Sequence, residues 1–424
     1  MQGYRDNESQ THNQSEPSFN NRMRPRRFVT NQPKLLSPQA ARTMKTRRLF
    51  GISVSLIIIN LAAIMERADE NLLPSVYKEV SEAFNAGPSD LGYLTFIRNF
   101  VQGLASPMAG ILVLTYDRPT VLAMGTLCWA LSTGAVGASR YFGQVGFWRA
   151  INGLTAVDHD GGQSYLERSE LLDRERDSGS IWTESWTAMK AVMKVQTFQI
   201  IVLQGLVGSL PWTAMVFFTM WFELIGFDHQ KAATLLSLFG AGCSIGSLLG
   251  GIIADRLSRN FPHTGRIMCA QFSAIMGIPY TWFLLRIIPQ SVDRYHTYAV
   301  TLLLMGLTIS WNGTACNAPM FAEVVPTKHR TMIYAFDRAF EVSFSSFAAP
   351  MVGILAEKIY GYDPKSVDPI AGSPREALAL SKGLLAMMAI PFGLCCLFYT
   401  PLYWVFRRDR DNVRMATLKE EEMI

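Results

Sequence analysis

The sequence predicts an all-helical bundle that crosses a membrane about ten times. Three observations lead to this prediction: the composition, the segregation of polar residues, and the placement of Lys and Arg. Of the 424 residues, 49% are apolar and 17% are charged, and the mean hydropathy is +0.15. Polar residues concentrate in the first 49 residues, in 158–197 and in 407–424, so the other segments hold nearly all apolar side chains. Soluble, disulfide-rich and disordered chains do not show this pattern.

Apolar runs of membrane-spanning length, and the Gly, Pro and charged residues that interrupt them, define the predicted spans. The spans are residues 50–65, 91–115, 119–139, 143–157, 198–224, 231–254, 267–288, 297–322, 331–359 and 382–406. These segments divide the chain into five parts. We expect a disordered basic tail (1–49), an incomplete N-terminal helical bundle (50–157), a charged linker with an amphipathic or solvated helix (158–197), a C-terminal six-helix bundle (198–406) and a second tail (407–424).

The basic residues between the spans predict the orientation, because loops rich in Lys and Arg stay on the cytosolic side. The basic connections are the first tail, the turn at Asp117 and Arg118, the linker, the turns 255–266 and 328–330, and the end at Arg407 and Arg408. All of these connections can lie on the same side of the membrane only if four spans precede the linker and six follow it. Both termini are therefore expected in the cytosol. An Arg-rich tail could also bind nucleic acid or serve as a transit peptide, but beside a span it is more typical of a positive-inside anchor.

Motifs of enzymes and metalloproteins are missing from the sequence. It contains no Walker loop, nucleophile elbow or His-Glu-x-x-His motif, and its His and Cys residues do not cluster. The six cysteines all lie in apolar runs. We therefore expect a chain that is not an enzyme, with no cofactor, no metal site and no nucleic-acid partner.

The turn after span 231–254 reads GGIIADRLSR. It resembles the signature loop of the major facilitator superfamily, roughly G-x-x-x-D-R-x-G-R, which Gly251, Asp255, Arg256 and Arg259 match, with Ser258 where Gly is usual. The resemblance implies a close helix crossing at Gly251. It also implies a cytosolic charge cluster that forms and breaks as two helical bundles rock against each other.

Two further elements resemble the same superfamily. The run AEVVPTKHR is similar to a Glu-x-x-Pro-x-x-x-Arg element, through Glu323, Pro326 and Arg330, which we assign to the cytosolic gate. The run MERADENLLP resembles the first span of spinster-like members, through Glu66 and Arg67. The resemblance implies a secondary transporter in membrane lipid that moves a small-molecule or lipid-like substrate by alternating access, with the proton as candidate coupling ion.

The resemblance fails between the two bundles. FWRAINGL looks like the start of the family's fourth span, with its Arg-x-x-x-Gly element at Arg149 and Gly153, but the apolar run stops at Val157. The rest of span four and spans five and six are missing, which implies an internally shortened facilitator. Because alternating access in this fold needs two complete bundles, the alternative is a transport-inactive chain that acts at most as an interaction partner of full-length relatives.

Ionisable residues at membrane depth cost roughly 2.5–3.5 kcal/mol each on insertion scales, so they are expected to be functional or paired. Glu66, Arg67 and Arg149 are the proton-coupling candidates, since the resemblance implies a pair between the first and fourth spans. Snorkelling to the membrane interface is the alternative for Glu66 and Arg67.

A second charged group occurs in span 331–359. Asp337 and Glu341 fall on one helical face, with Arg338 between them in sequence. They form either a cation or proton site, or part of a cytosolic gate bonded to the Asp255 cluster; the position near the cytosolic rim favours the gate.

Span 297–322 is unusually polar. Its residues Asn312, Thr314 and Asn317 are candidates for lining a substrate cavity, with interhelical hydrogen bonding as the alternative.

Gly242, Gly246 and Gly250 recur every four residues in span 231–254 and predict close helix packing. A dinucleotide loop is disfavoured because no strand precedes them. In the family this helix packs on the fifth span, which is missing here. The stripe would then face lipid, a refilled bundle or a second copy of the chain, so self-association through these glycines is a candidate interaction.

Overall fold

A computed structural model of the chain describes residues 48–49, 52–53, 61, 65, 68–115, 118–155, 190, 192–325, 330–366 and 373–422. The chain divides into two compact units, residues 1–58 and 59–424. In the first unit, the short strands β1 (Arg48–Leu49) and β2 (Ile52–Ser53) pair antiparallel, with Arg48 opposite Ser53. The prediction of a helix from residue 50 is therefore wrong at Ile52 and Ser53, which fits the β-branched residues of this run.

In the second unit, the described residues before the linker are helical. Residues 68–75 are helical and lead into α1 (Tyr77–Phe84), α2 (Pro88–Thr115), α3 (Arg118–Gly137) and α4 (Phe142–Thr155). Asn85 ends α1 in a left-handed conformation, with φ 51°, and Pro88 begins α2, where a missing N–H costs nothing. Helices α2, α3 and α4 match the predicted spans closely, whereas the first helical stretch continues to Phe84, well past the predicted end at residue 65.

Six helical passes follow the linker in the described part of the chain. The first consists of α5 (Gln196–Gly208), α6 (Leu210–Ala214), a 3₁₀ turn (Met215–Phe217) and α7 (Phe218–Ile225). The next two are α8 (His229–Asn260) and α9 (Gly265–Trp282), which ends in a π turn (Phe283–Ile287). A 3₁₀ turn (Val292–Arg294) precedes the fourth pass, made of α10 (Tyr295–Ile309), a π segment (Asn312–Asn317) and α11 (Ala318–Val324).

The fifth pass comprises α12 (Arg330–Ser345), α13 (Ala348–Ile354) and a π turn (Leu355–Ile359). A 3₁₀ turn (Pro364–Ser366) lies before α14 (Pro374–Tyr399), the sixth pass, which is followed by α15 (Leu402–Glu422). The prediction that the last span continues to residue 406 is wrong. Helix α14 ends at Tyr399, because Pro401 has no backbone N–H and its ring disfavours a helix through this position.

Five stretches of the described chain are long and apolar enough to cross a membrane. They are Gln196–Ile225, His229–Asn260, Gly265–Ile287, Phe336–Ile359 and Pro374–Tyr399. All five follow the linker. At about 1.5 Å per residue, the 32 residues of α8 are longer than a hydrocarbon core of about 30 Å, so part of the helix extends beyond the core.

The two sets of helices meet along α2, which packs on α12 and α13. An aromatic core supports this contact on one side, where the buried ring of Tyr77 lies 5.5 Å from that of Phe217. Trp221, Phe222 and Tyr298 continue the same core between α7 and α10. The bundle is therefore one packed body within residues 59–424, and the prediction of an all-helical bundle is confirmed.

The glycine stripe of α8 packs on α10 of the same chain. A Cβ atom at Gly246 would lie 2.5 Å from the carbonyl oxygen of Leu307, and one at Gly250 would lie 2.5 Å from the ring of Trp311. Gly242 lies equally close to the backbone of Leu303. All three glycines are buried, and the close contacts of this stripe are made within the same chain.

Helix α15 is fixed to the start of α5. The carboxylate of Asp409 accepts hydrogen bonds from the backbone N–H of Thr197 at 2.9 Å and from its hydroxyl at 3.0 Å. Asp409 and Thr197 are both buried. This contact joins the C-terminal helix to the first residues after the linker.

Candidate functional site

A network of buried polar side chains joins the helical stretch 68–75 to α2, α3 and α4. The Asp69 carboxylate lies 3.8 Å from Nη2 of Arg98 and accepts a hydrogen bond from the Thr133 hydroxyl at 3.0 Å. Asn152 donates to the same hydroxyl at 3.0 Å and accepts from Nε of Arg98 at 2.9 Å. Asp69 and Arg98 are only 3% and 2% exposed, so this ion pair is shielded from water.

Other polar groups surround Arg98. Its Nη1 lies 3.5 Å from a Glu70 carboxylate oxygen and donates to Gln102 at 3.3 Å. One turn before Arg98, the Thr95 hydroxyl hydrogen-bonds with Tyr77, which also donates to the backbone at Leu91. The guanidinium is therefore held by two carboxylates and by neutral acceptors.

Gly153 allows α4 to approach this network. A Cβ atom at this position would collide with the carbonyl oxygen of Arg98. Because residue 153 has no side chain, α4 crosses α2 closely enough for Asn152 to reach the Arg98 guanidinium. The packing of α4 on α2 thus sets the polar contacts.

Of the three predicted proton-coupling residues, the structure describes only Arg149. Glu66 and Arg67 lie outside the described residues. Arg149 is buried, at 3% exposure, and no described residue accepts a hydrogen bond from its Nε. It lies within electrostatic range of Arg98, Asp69 and Glu70, so it borders the network that these residues form.

The sequence reasoning missed Asp69, Glu70 and Arg98. Arg98 lies inside an apolar run, where the rule that a charge at membrane depth is functional or paired would have selected it. Asp69 and Glu70 follow Glu66 in the run MERADENLLP. They were overlooked because the first span was ended at residue 65, whereas the helical stretch continues beyond them.

The charged residues of α12 do not join the Asp255 cluster as the gate prediction required. Asp255 instead pairs with Arg266 at 2.8 Å. Arg338 donates to Glu341 at 3.3 Å, and the Glu341 carboxylate lies directly against Gly205 of α5. Residues 337–341 therefore lie further into the bundle, facing α5, than the prediction placed them.

Asp337 is 9% exposed, and its Oδ1 has no hydrogen-bond partner among the described residues. Glu341, one turn later, lies within electrostatic range of it. Two carboxylates on one face of α12 are the arrangement on which the alternative prediction, a cation or proton site, depends.

The polar segment of the fourth pass is joined to the sixth pass through Asn317. Asn317 accepts a hydrogen bond from the Tyr399 hydroxyl at 2.8 Å, which is the interhelical bonding predicted as the alternative for this segment. The buried Oδ1 of Asn312 has no described partner, and the Thr314 side chain lies outside the described residues. A cavity of about 720 Å³ lies elsewhere, between α9 and α10, with largely apolar walls that include Tyr280 and Val300.

The basic end of the bundle carries ion pairs within the second half. Arg266, which pairs with Asp255, also donates to the carbonyl oxygen of Ala315 at 3.1 Å. Glu323 lies 3.6 Å from Arg410 of α15, a contact that the sequence did not indicate.

The other predicted gate residues contribute less to this end. Arg256 and Arg259 are exposed. Among the described residues, no helix crosses closely at Gly251, where a Cβ atom would meet none of their atoms within 4 Å. Arg330 begins α12, but its side chain is not among those that the structure describes. Pro326 lies outside the described residues altogether.

At the opposite end, α2 is bonded to the turn that follows α13. Glu357 accepts hydrogen bonds from the backbone N–H and the hydroxyl of Ser89, both at 2.8 Å. Nearby, burial raises the pKa of the Tyr362 phenol above its ordinary value, with the Glu376 and Glu357 carboxylates adding to the shift. We call this the Ser89 end of the bundle.

Comparison of the chain with known proteins gave a result at the level of structure. No family model and no curated protein sequence matches it. The structure is similar to the crystal structure of a bacterial homologue of the human lysosomal transporter Spinster in an inward-facing, unoccupied conformation, with a TM-score of 0.63 and 12% identity. The inward-facing, occupied form gives a TM-score of 0.60 and 13% identity. Both similarities cover 84% of this chain and 97% of the other.

This chain has the Spinster-homologue fold. The predicted resemblance to spinster-like facilitators is thus confirmed for the fold. With five apolar helices of membrane-spanning length, the chain is an integral, multi-pass membrane protein.

Proposed function

We propose that the chain is a secondary transporter that moves a small or amphiphilic solute by alternating access, with both termini in the cytosol. The observation that carries the proposal is the buried pair of Asp69 and Arg98 within a transporter fold. A buried ion pair of this kind is costly to maintain and is typical of ion pathways and proton relays.

The contacts between the two halves support a defined state of the transport cycle. At the Ser89 end, α2 is bonded to Glu357, and further along the helix Gly103 lies directly against Ser343 of α12. In the proposed cycle, the contact between Ser89 and Glu357 would hold that end closed. The basic end would then be the open one, which corresponds to the inward-facing state of the two similar structures.

Proton coupling would act through the Asp69 carboxylate. A proton on Asp69 removes the charge that holds Arg98, so the guanidinium is free to form other contacts. Arg149 borders the pair and Glu70 offers a second carboxylate, so the network has more than one arrangement available. Two arrangements of one buried network are what an ion-coupled conformational change requires.

Spin labels on Ser89→Cys and Glu357→Cys, in a variant without the native cysteines, test alternating access without a known substrate. Double electron–electron resonance in lipid nanodiscs should show two distances between the labels. The short one corresponds to the contact of Ser89 with Glu357, and the second one is longer. Lowering the pH should change their populations, and Asp69→Asn should remove that pH response. A single short distance under all conditions would contradict the proposal. Uptake of lysophospholipids, amino acids and sugars into proteoliposomes would then identify the solute class.

An inactive chain is the second candidate function, and one observation favours it. Six helical passes follow the linker, but the structure describes four before it. These four are the stretch ending in α1, then α2, α3 and α4. A version with two further spans inserted after residue 157 serves as the comparison. If only that version shows two distances and uptake, the present chain is a transport-inactive form.

A further inference from the structure

Three side chains that are far apart in sequence meet at the outer side of the aromatic core. They are Glu79 of α1, Glu223 of α7 and His229, the first residue of α8. One ligand atom from each lies within 4.8 Å of the other two. The sequence alone predicted no metal site, because these residues form no local motif and meet only through the fold.

The turn between α7 and α8 folds His229 back onto Glu223. Gly226 ends α7 with a φ of 105°, a conformation that L side chains rarely adopt. The chain therefore reverses within three residues, and Nδ1 of His229 lies 2.7 Å from Oε1 of Glu223. Glu79 approaches from the other half of the bundle, on α1.

The Glu223 carboxylate is only half satisfied. Its side chain is 4% exposed, yet its second oxygen, Oε2, has no hydrogen-bond partner among the described residues. A buried carboxylate oxygen without a donor is costly. Glu79 and His229 are exposed, so an ion from solution can reach the buried oxygen between them.

We propose that Glu79, Glu223 and His229 bind Zn²⁺ or a closely similar divalent transition metal. An imidazole nitrogen with two carboxylates is a ligand set that suits Zn²⁺, and water would complete the usual four ligands. The ion would take the place of the hydrogen bond between His229 and Glu223. Lys78 also lies within electrostatic range of Glu223; its positive charge opposes the ion and limits affinity.

A bound ion would link the two halves of the bundle, because Glu79 precedes the linker and the other two ligands follow it. It would hold α1 against α7 and α8. Only this consequence rests on the proposed function: a bound metal would slow a cycle that must separate these helices. Metal binding itself can be measured whether or not the chain transports.

The test uses the purified full chain in detergent and Zn²⁺ alone. Isothermal titration should show one ion per chain, and Zn²⁺ should raise the unfolding temperature. Glu79→Gln, Glu223→Gln and His229→Gln should each weaken binding by at least about ten-fold. The control is His296→Gln, which removes an exposed histidine from another turn and should leave binding unchanged.

If Glu223→Gln impairs folding because Glu223 is buried, Glu79→Gln still tests the proposal, since Glu79 is exposed. Equal Zn²⁺ affinity in Glu79→Gln, His229→Gln and the parent chain would overturn the proposal. So would loss of binding in His296→Gln alone. Tight binding without an effect on the distances between labels at Ser89 and Glu357 would keep the metal site and reject its role in transport.

Discussion

The two halves of the bundle bury their carboxylates in different ways. Asp69 in the first half is paired with Arg98 and bonded to Thr133, so its charge belongs to a network that also positions three helices. Asp337 in the second half is almost as buried, but its Oδ1 has no described hydrogen-bond partner. Burial alone therefore does not assign a role. Both carboxylates keep one oxygen without a described hydrogen-bond partner, so the difference between them is the ion pair of Asp69 with Arg98.

The largest effect is expected from Arg98→Met. This change leaves the Asp69 carboxylate buried without its cation, and it also removes the contact of Arg98 with Glu70 at 3.5 Å. Breaking a buried ion pair costs about 3–5 kcal/mol, which should appear as a marked fall in unfolding temperature in detergent. Arg286→Met, at an exposed arginine of the π turn after α9, is the control. Adding Asp69→Asn to Arg98→Met should restore part of the loss; no restoration would argue against the pair.

An intermediate effect is expected in the second half, which relies on close backbone packing. Gly246→Ala places a methyl group against the carbonyl oxygen of Leu307 and forces α8 away from α10. Overpacking of this kind costs about 1–3 kcal/mol. The matched control is Gly251→Ala on the same helix, where the new methyl group meets open space. Equal unfolding temperatures for the two variants would contradict this account.

A smaller effect on stability is expected from Asp337→Asn. Because Oδ1 accepts no described hydrogen bond, we expect a change below about 1 kcal/mol. The pH dependence of the distance between labels at Ser89 and Glu357 should change instead. A loss of stability as large as that of Arg98→Met would show that Asp337 is a structural partner, and would remove the contrast between the halves.

The smallest effect on stability is expected from Asp255→Asn at the basic end. Asp255 is 60% exposed, and exposed ion pairs contribute at most about 1 kcal/mol. We expect the variant to fold normally while the interchange between the two distances becomes impaired. Wild-type interchange at normal protein levels would show that the pair with Arg266 has no role in gating.

Apolar run length predicted α2, α3, α4 and the helices after the linker. The boundaries failed where local chemistry interrupts a run, as at Pro401, or where apolar residues are β-branched, as near Ile52. The glycine spacing predicted close packing of α8, but the partner helix was misjudged. The spacing of the glycines identifies the face of α8 that packs closely. It does not identify the helix that packs on this face, which depends on the fold.

The candidate sites were harder to predict because their residues come from separate helices. Asn152 reaches Arg98 through a crossing that depends on Gly153, and no local pattern encodes that meeting. Glu79, Glu223 and His229 are a stronger case, since each alone is an ordinary residue near a helix end. Charges inside apolar runs were the useful signal, and applying it to Arg98 would have located the network.

The contact between Asp409 and Thr197 determines where this polypeptide can be shortened. A chain cut just after the last apolar run would seem complete by hydropathy, yet it would lose the acceptor of two buried hydrogen bonds at the start of α5. Purification tags and fluorescent fusions therefore belong after Glu422, where α15 ends, and not near residue 406. Residues that look like a dispensable tail are part of the folded body.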